Sequence, residues 1–137
     1  MMTETNTKTL QVGVKALLLN KEGKYLILHR NIDVYPEVNN PWDIVGGRID
    51  TGTSLLDNLK REIFEETKLE LLDTPKLIAA QDILKEDKHV VRLTYIANIE
   101  GEPVLETEHD AFKWLSLEEL KVLPGLDSYV KKVINEF

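Results

Sequence analysis

The 137-residue sequence predicts an α/β fold in which a mixed sheet is covered by helices on both faces. Three observations lead there. Apolar stretches of strand length bracket one strongly amphipathic helix near the middle of the chain. Two further strand-like runs follow that helix. The chain then closes on a short helix and an amphipathic one.

Each element can be justified in order. "LQVGVKALLLN", residues 10–20, mixes alternation with a continuous apolar run, the pattern of a strand buried on both faces. "KEG" supplies a turn at Gly23, and "KYLILHR" reads as the returning strand of a hairpin. Residues 31–41, "NIDVYPEVNNP", have two prolines, three asparagines and no period, which predicts a long loop of the kind that often carries function. "WDIV" reads as a short strand running into a glycine loop, "GGRIDTG". Ser54 with Asp57 resembles a capping box, so a helix is expected to begin at Leu55. Leu56, Leu59 and Ile63 then form its core-facing stripe. "KLIAAQDILKE" and "HVVRLTYIANIE" read as strands joined by the charged turn "KEDKH". "AFKWL" reads as a last short strand, "SLEEL" as a short helix, and "DSYVKKVINEF" as the closing helix.

Composition bounds the function. The length fits a single domain, expected over residues 9–137, preceded by a polar flexible leader at residues 1–8. No apolar run approaches the roughly 20 residues of a membrane span, and the start lacks the features of a signal peptide. With no cysteine, disulfides, thiolate zinc sites and cysteine nucleophiles are excluded. These features together suggest a cytoplasmic protein with no membrane partner; a homodimer is left open. The net charge of −7, from 24 acidic and 17 basic residues, argues against sequence-independent binding to nucleic acid. It also means that an anionic substrate needs a local cation to approach.

The helix carries the candidate chemistry. Glu62, Glu65 and Glu66 fall within an arc of roughly 100° beside the core stripe. A solvated acidic face is one explanation, since exposed like charges at this spacing cost only about 0.2–0.5 kcal/mol. A glycine loop leading into the same helix offers another: a cup of hard oxygen ligands suited to Mg²⁺ or Mn²⁺.

Residues 47–69 resemble the Nudix box, Gly-x5-Glu-x7-Arg-Glu-U-x-Glu-Glu-x-Gly-U, where U is a bulky apolar residue. Gly47, Arg61, Glu62, Ile63, Glu65, Glu66 and Leu69 match it at the correct spacing. Thr53 stands at the first glutamate position, Lys68 at the glycine after the helix, and Val45 where many members have proline. The resemblance implies an α/β/α sandwich with a central mixed β-sheet, and hydrolysis of a diphosphate linkage in a nucleotide or nucleoside diphosphate derivative with Mg²⁺ or Mn²⁺. It implies metal ligands at the Gly46 carbonyl, Glu62, Glu65 and Glu66, with Arg61 orienting a glutamate. The general base would come from Glu62 or from Glu108 in "ETEHDAFKW", while Glu66 would be catalytic through the cation it holds. His109 beside it is expected to be a loop residue. For the substrate itself, Arg30 could meet a phosphate and Trp42 could stack a base; a surface charge at Arg30 and a core ring at Trp42 are equally open. The alternative is a Nudix-fold binding or regulatory module with little turnover, which Thr53 supports and the intact "REIFEE" opposes.

Overall fold

A computed structural model describes residues 8–137. The expected leader lies outside the described residues except for Lys8, whose ammonium donates to the Lys85 carbonyl at 2.6 Å. Ten elements follow in chain order: β1 (Thr9–Leu19), β2 (Tyr25–Arg30), β3 (Trp42–Asp43), β4 (Val45–Arg48), α1 (Leu55–Thr67), β5 (Lys76–Leu84), β6 (Lys88–Asn98), β7 (His109–Leu115), α2 (Leu117–Lys121) and α3 (Ser128–Ile134).

The strands form one seven-stranded sheet whose main path runs β3-β2-β1-β6-β5, with β4 beside β1 and β7 beside β2. β1 and β6 are parallel along their whole length, from Thr9 opposite Lys88 to Leu19 opposite Asn98. The remaining pairings are antiparallel, so the sheet is mixed.

Strand alternation sorts the core into two layers. Val14, Ala16 and Leu18 of β1 and Leu26 and Leu28 of β2 pack with Leu59 and Ile63 of α1. The intervening residues Leu17, Tyr25 and Ile27 pack on the other side with Leu120, Val130, Val133 and Ile134 of α2 and α3. The result is the three-layered sandwich expected, with α1 on one face and α2 and α3 on the other. Leu59 and Ile63 are fully buried, whereas Leu56 is only partly buried against the same layer.

Two local expectations need correction. β2 meets β1 only at Leu19 opposite Tyr25 and then pairs with β3 and β7, so the hairpin opens almost at once. β4 takes the place beside β1, from Gly13 opposite Arg48 to Ala16 opposite Val45. Gly46 and Gly47 are therefore strand residues and not the start of a loop. Their role is close approach: a Cβ on Gly46 would stand 2.1 Å from the Val14 carbonyl oxygen.

α1 starts where expected. Ser54 Oγ accepts from the Asp57 amide at 3.1 Å. The helix ends at Lys68 in the left-handed conformation, φ 63° and ψ 18°, with its amide donating to the Phe64 carbonyl. No helix among the described residues is long and apolar enough to cross a membrane.

Candidate active site

α1 delivers its glutamates to a cavity of about 510 Å³ that also takes in Gly46 and Gly47 of β4. The two glycines make this approach possible. A Cβ on Gly47 would lie 2.8 Å from the Glu62 carboxylate, so the carboxylate occupies space that any side chain at 47 would claim. Glu66 is held by the other glycine, its Oε1 accepting from the Gly46 amide at 3.0 Å. Arg61 binds along the glutamate row, 3.2 Å from Glu62 and 3.3 Å from Glu65, and reaches Asp50 at 3.5 Å.

The electrostatics of the glutamates follow from their burial. Burial pushes Glu66 up to about 7, with the neighbouring Glu62 and Glu108 charges adding to it. Lys15 and the Gly46 amide oppose that rise. Glu62 is also raised, first by burial, against the pull of Arg61. Two partly desolvated carboxylates on one face form a site with unspent negative charge.

Facing them is a set of cations that the sequence reading, apart from Arg30, did not single out. Lys15 of β1, Arg30 of β2 and Arg92 of β6 all line the cavity. All three bind Asp43 of β3: Lys15 at 3.1 Å, Arg30 at 2.9 Å and Arg92 at 3.1 Å. Burial alone would raise Asp43, but Lys15, Arg92 and Arg30 outweigh it and hold its carboxyl well below the usual range. The available signal was a lone cation inside an otherwise apolar strand, Lys15 in "VGVKALLL" and Arg92 in "HVVRLTYI". A strand buried on both faces tolerates such a residue only when it has a partner. The partners lie 28 and 49 positions away, out of reach of any local pattern.

Other expected residues fall in different places. Glu108 lines the cavity, and the partly buried Tyr35 phenol is raised first by desolvation and then by the Glu108 charge beside it. Tyr35 also lies under the Arg30 guanidinium, 5.1 Å from its ring centre. Trp42 is not among the cavity residues and takes the core place that its sequence equally allowed. Its ring packs against the α2/α3 layer, 4.7 Å from His29, with Lys113 over its face at 4.9 Å. Thr53 is exposed and outside the cavity, so the departure from the motif there removes no residue that lines it.

His109 opens β7 and does not sit in a loop, because Arg30 pairs with it across the sheet. It lines the cavity with Nδ1 buried and without a partner, and burial followed by the Arg30 and Lys15 charges lowers its pKa to about 4. Two residues had no sequence signal. Glu106 lines the cavity and pairs with Lys68 at 2.7 Å. Asn58, fully buried within α1, donates to the Thr53 and Ser54 carbonyls and accepts from the Asp50 amide and Arg61. It thereby ties the 50–54 loop to the helix.

The donor set fits a hard divalent cation. It consists of carboxylate groups, of which Glu62 and Glu66 are raised first by burial and then by neighbouring glutamates, in a cavity with no sulfur ligand. Among the described residues, no three acidic or histidine side chains stand close enough together to hold a metal ion by themselves. A divalent ion here would therefore draw part of its shell from water and substrate oxygens.

With the geometry in place, comparisons with known proteins converge. The NUDIX domain family model matches residues 9–137. The chain is 29% identical over 168 residues to an RNA pyrophosphohydrolase of Bartonella bacilliformis, covering 99% of this chain and 96% of that protein. Among solved structures, the MutT protein from Methanosarcina mazei Go1 superposes with a TM-score of 0.82 at 25% identity, covering 94% of this chain and 93% of that one. The E. coli ORF135 protein shares the fold with a TM-score of 0.77 at 20% identity, over 97% of this chain and 91% of that one.

Proposed function

The chain belongs to the NUDIX domain family and is a Nudix-type pyrophosphohydrolase, and from that premise we propose that it cleaves a diphosphate linkage in a nucleotide or nucleoside diphosphate derivative, dependent on Mg²⁺ or Mn²⁺. One observation carries this reading: the α1 glutamates and the Lys15, Arg30 and Arg92 cations line the same cavity. A diphosphate needs both, one side to recruit a divalent ion and the other to balance phosphate charge directly.

Glu62, Glu65, Glu66 and the Gly46 carbonyl would hold the cation. Bound there, Mg²⁺ or Mn²⁺ supplies charge neutralisation on phosphate oxygens and acidifies water. The chain's own residues do the rest. The Gly46 amide fixes one Glu66 oxygen, which suits Glu66 to a ligand's role. Arg61 keeps Glu62 and Glu65 in line by its ion pairs. Glu62 and Glu108 line the cavity with Glu66 and are the residues that could accept the proton of the attacking water. Arg30, braced by Asp43 and Tyr35, is available to a phosphate oxygen.

The test is phosphate or pyrophosphate release across a panel of nucleoside triphosphates, nucleoside diphosphate derivatives and an oligoribonucleotide with a 5′ triphosphate. The last is included because the Bartonella relative acts on RNA by its name. Turnover of at least one member with Mg²⁺ or Mn²⁺, abolished by EDTA, is expected. Metal-independent release would overturn the reading.

A further inference from the structure

Three cations meet at a single carboxylate beneath the cavity. Asp43, only 2% exposed, places Oδ2 against Lys15 and Arg30 and Oδ1 against Arg92. Lys15 and Arg92 are themselves buried, at 9% and 6% exposure. Arg92 also reaches Asp127, the N-cap of α3, at 3.1 Å. Three positive charges against two negative ones leave a surplus, part of which Lys15 already directs at Glu62 and Glu66, and buried charge is costly unless it is matched.

The surplus faces the cavity. Lys15, Arg30 and Arg92 line it, while Asp43 and Asp127 do not. Arg92 Nε is buried and has no hydrogen-bond partner. A buried guanidinium donor without an acceptor is costly, which leaves Arg92 dependent on Asp43 and Asp127 to hold its place. Lys15, Arg30 and Arg92 come from three different strands, with Asp43 on a fourth. Without a common anchor, three like charges would separate or turn towards solvent.

We infer that Asp43 is a positioning residue, which holds Lys15, Arg30 and Arg92 as a rigid phosphate-receiving floor opposite the α1 glutamates. The inference rests on the diphosphate reading above and assigns the phosphate group not held at the glutamates to this floor. Asp43 acts through the cations and touches no substrate.

Charge and position predict opposite outcomes. Asp43→Asn makes the floor more positive, so attraction alone would tighten phosphate binding. Loss of the anchor would weaken it. The probe is inorganic pyrophosphate, titrated calorimetrically in EDTA so that no metal site contributes. Wild type is expected to bind, and Asp43→Asn to bind roughly tenfold more weakly. Arg92→Lys keeps the charge but cannot fork between Asp43 and Asp127. It should lose affinity similarly and raise KM more than it lowers kcat. Wild type that ignores pyrophosphate, or an Asp43→Asn protein that binds as tightly or more tightly, would overturn the inference. Should Asp43→Asn fail to fold, Arg92→Lys decides, and unchanged pyrophosphate affinity and KM in that variant would overturn it. Pyrophosphate binding by wild type without metal-dependent turnover of any panel member would sink the substrate reading and leave the floor supported.

Discussion

Glu66 Oε1 accepts a hydrogen bond from the Gly46 amide at 3.0 Å, joining the last turn of α1 to the strand beside β1. The same carboxylate is buried near Glu62 and Glu108, and its charge is therefore disfavoured until a cation arrives. Glu66→Gln keeps an acceptor for the Gly46 amide and removes the charge. Metal-dependent turnover should fall by two orders of magnitude or more, equivalent to about 2.7 kcal/mol of barrier. The metal-free melting temperature should hold or rise. Glu70→Gln, outside the cavity, serves as the control, and equal losses in the two variants would point to general electrostatics.

Gly46 and Gly47 should respond differently to the same substitution. A Cβ on Gly46 would strike the Val14 carbonyl oxygen and the Lys15 backbone, at a φ of 141° that L side chains rarely adopt. Gly46→Ala should cost about 3 kcal/mol or more, or prevent folding. At Gly47 the obstacle is the end of the Glu62 side chain, which can swing away. Gly47→Ala should change the denaturant midpoint little and reduce turnover by displacing Glu62. Equal stability losses at both positions would contradict this account.

Lys68 holds φ 63° while its ammonium pairs with Glu106 and caps the Glu65 carbonyl. Lys68→Ala loses those contacts and keeps the strain of a Cβ in the left-handed region. Lys68→Gly loses the contacts and the strain together. The Gly variant should therefore be more stable than the Ala variant by about 1 kcal/mol. In a helix interior the order would be reversed. Paired denaturant melts give the sign.

Asp43 predicts the acid limb of stability. Its carboxyl is held below its ordinary value of 3.8 by Lys15, Arg92 and Arg30 against the opposing effect of burial. A depressed carboxylate contributes stability that is fully present above the unfolded pKa and lost as pH falls through the folded one. Wild-type stability should thus drop steeply below about pH 4, by an amount on the order of a few kcal/mol. Asp43→Asn should be less stable at neutral pH and show a shallower acid limb. Parallel acid limbs in the two proteins would remove Asp43 as the source.

How much of this was readable depends on the distance over which each feature is encoded. The sequence by itself determined the α/β class, the extent of α1, its Ser54 cap and the row of Glu62, Glu65 and Glu66, because helical spacing and capping are set within a few residues. It also marked Glu108, which the structure brings to the same cavity. Tertiary structure decided what faces those glutamates. Lys15, Asp43 and Arg92 come together only through the parallel register of β1 with β6 and the placement of β3 across β2. Trp42 was undecided for the same reason: its chemistry allows stacking or packing, and the path of β3 turns it into the α2/α3 layer. Gly46 and Gly47 read as a flexible loop because glycine signals backbone freedom without saying why it is needed. Here it is needed for close approach, of β4 to β1 at one residue and of Glu62 to β4 at the next.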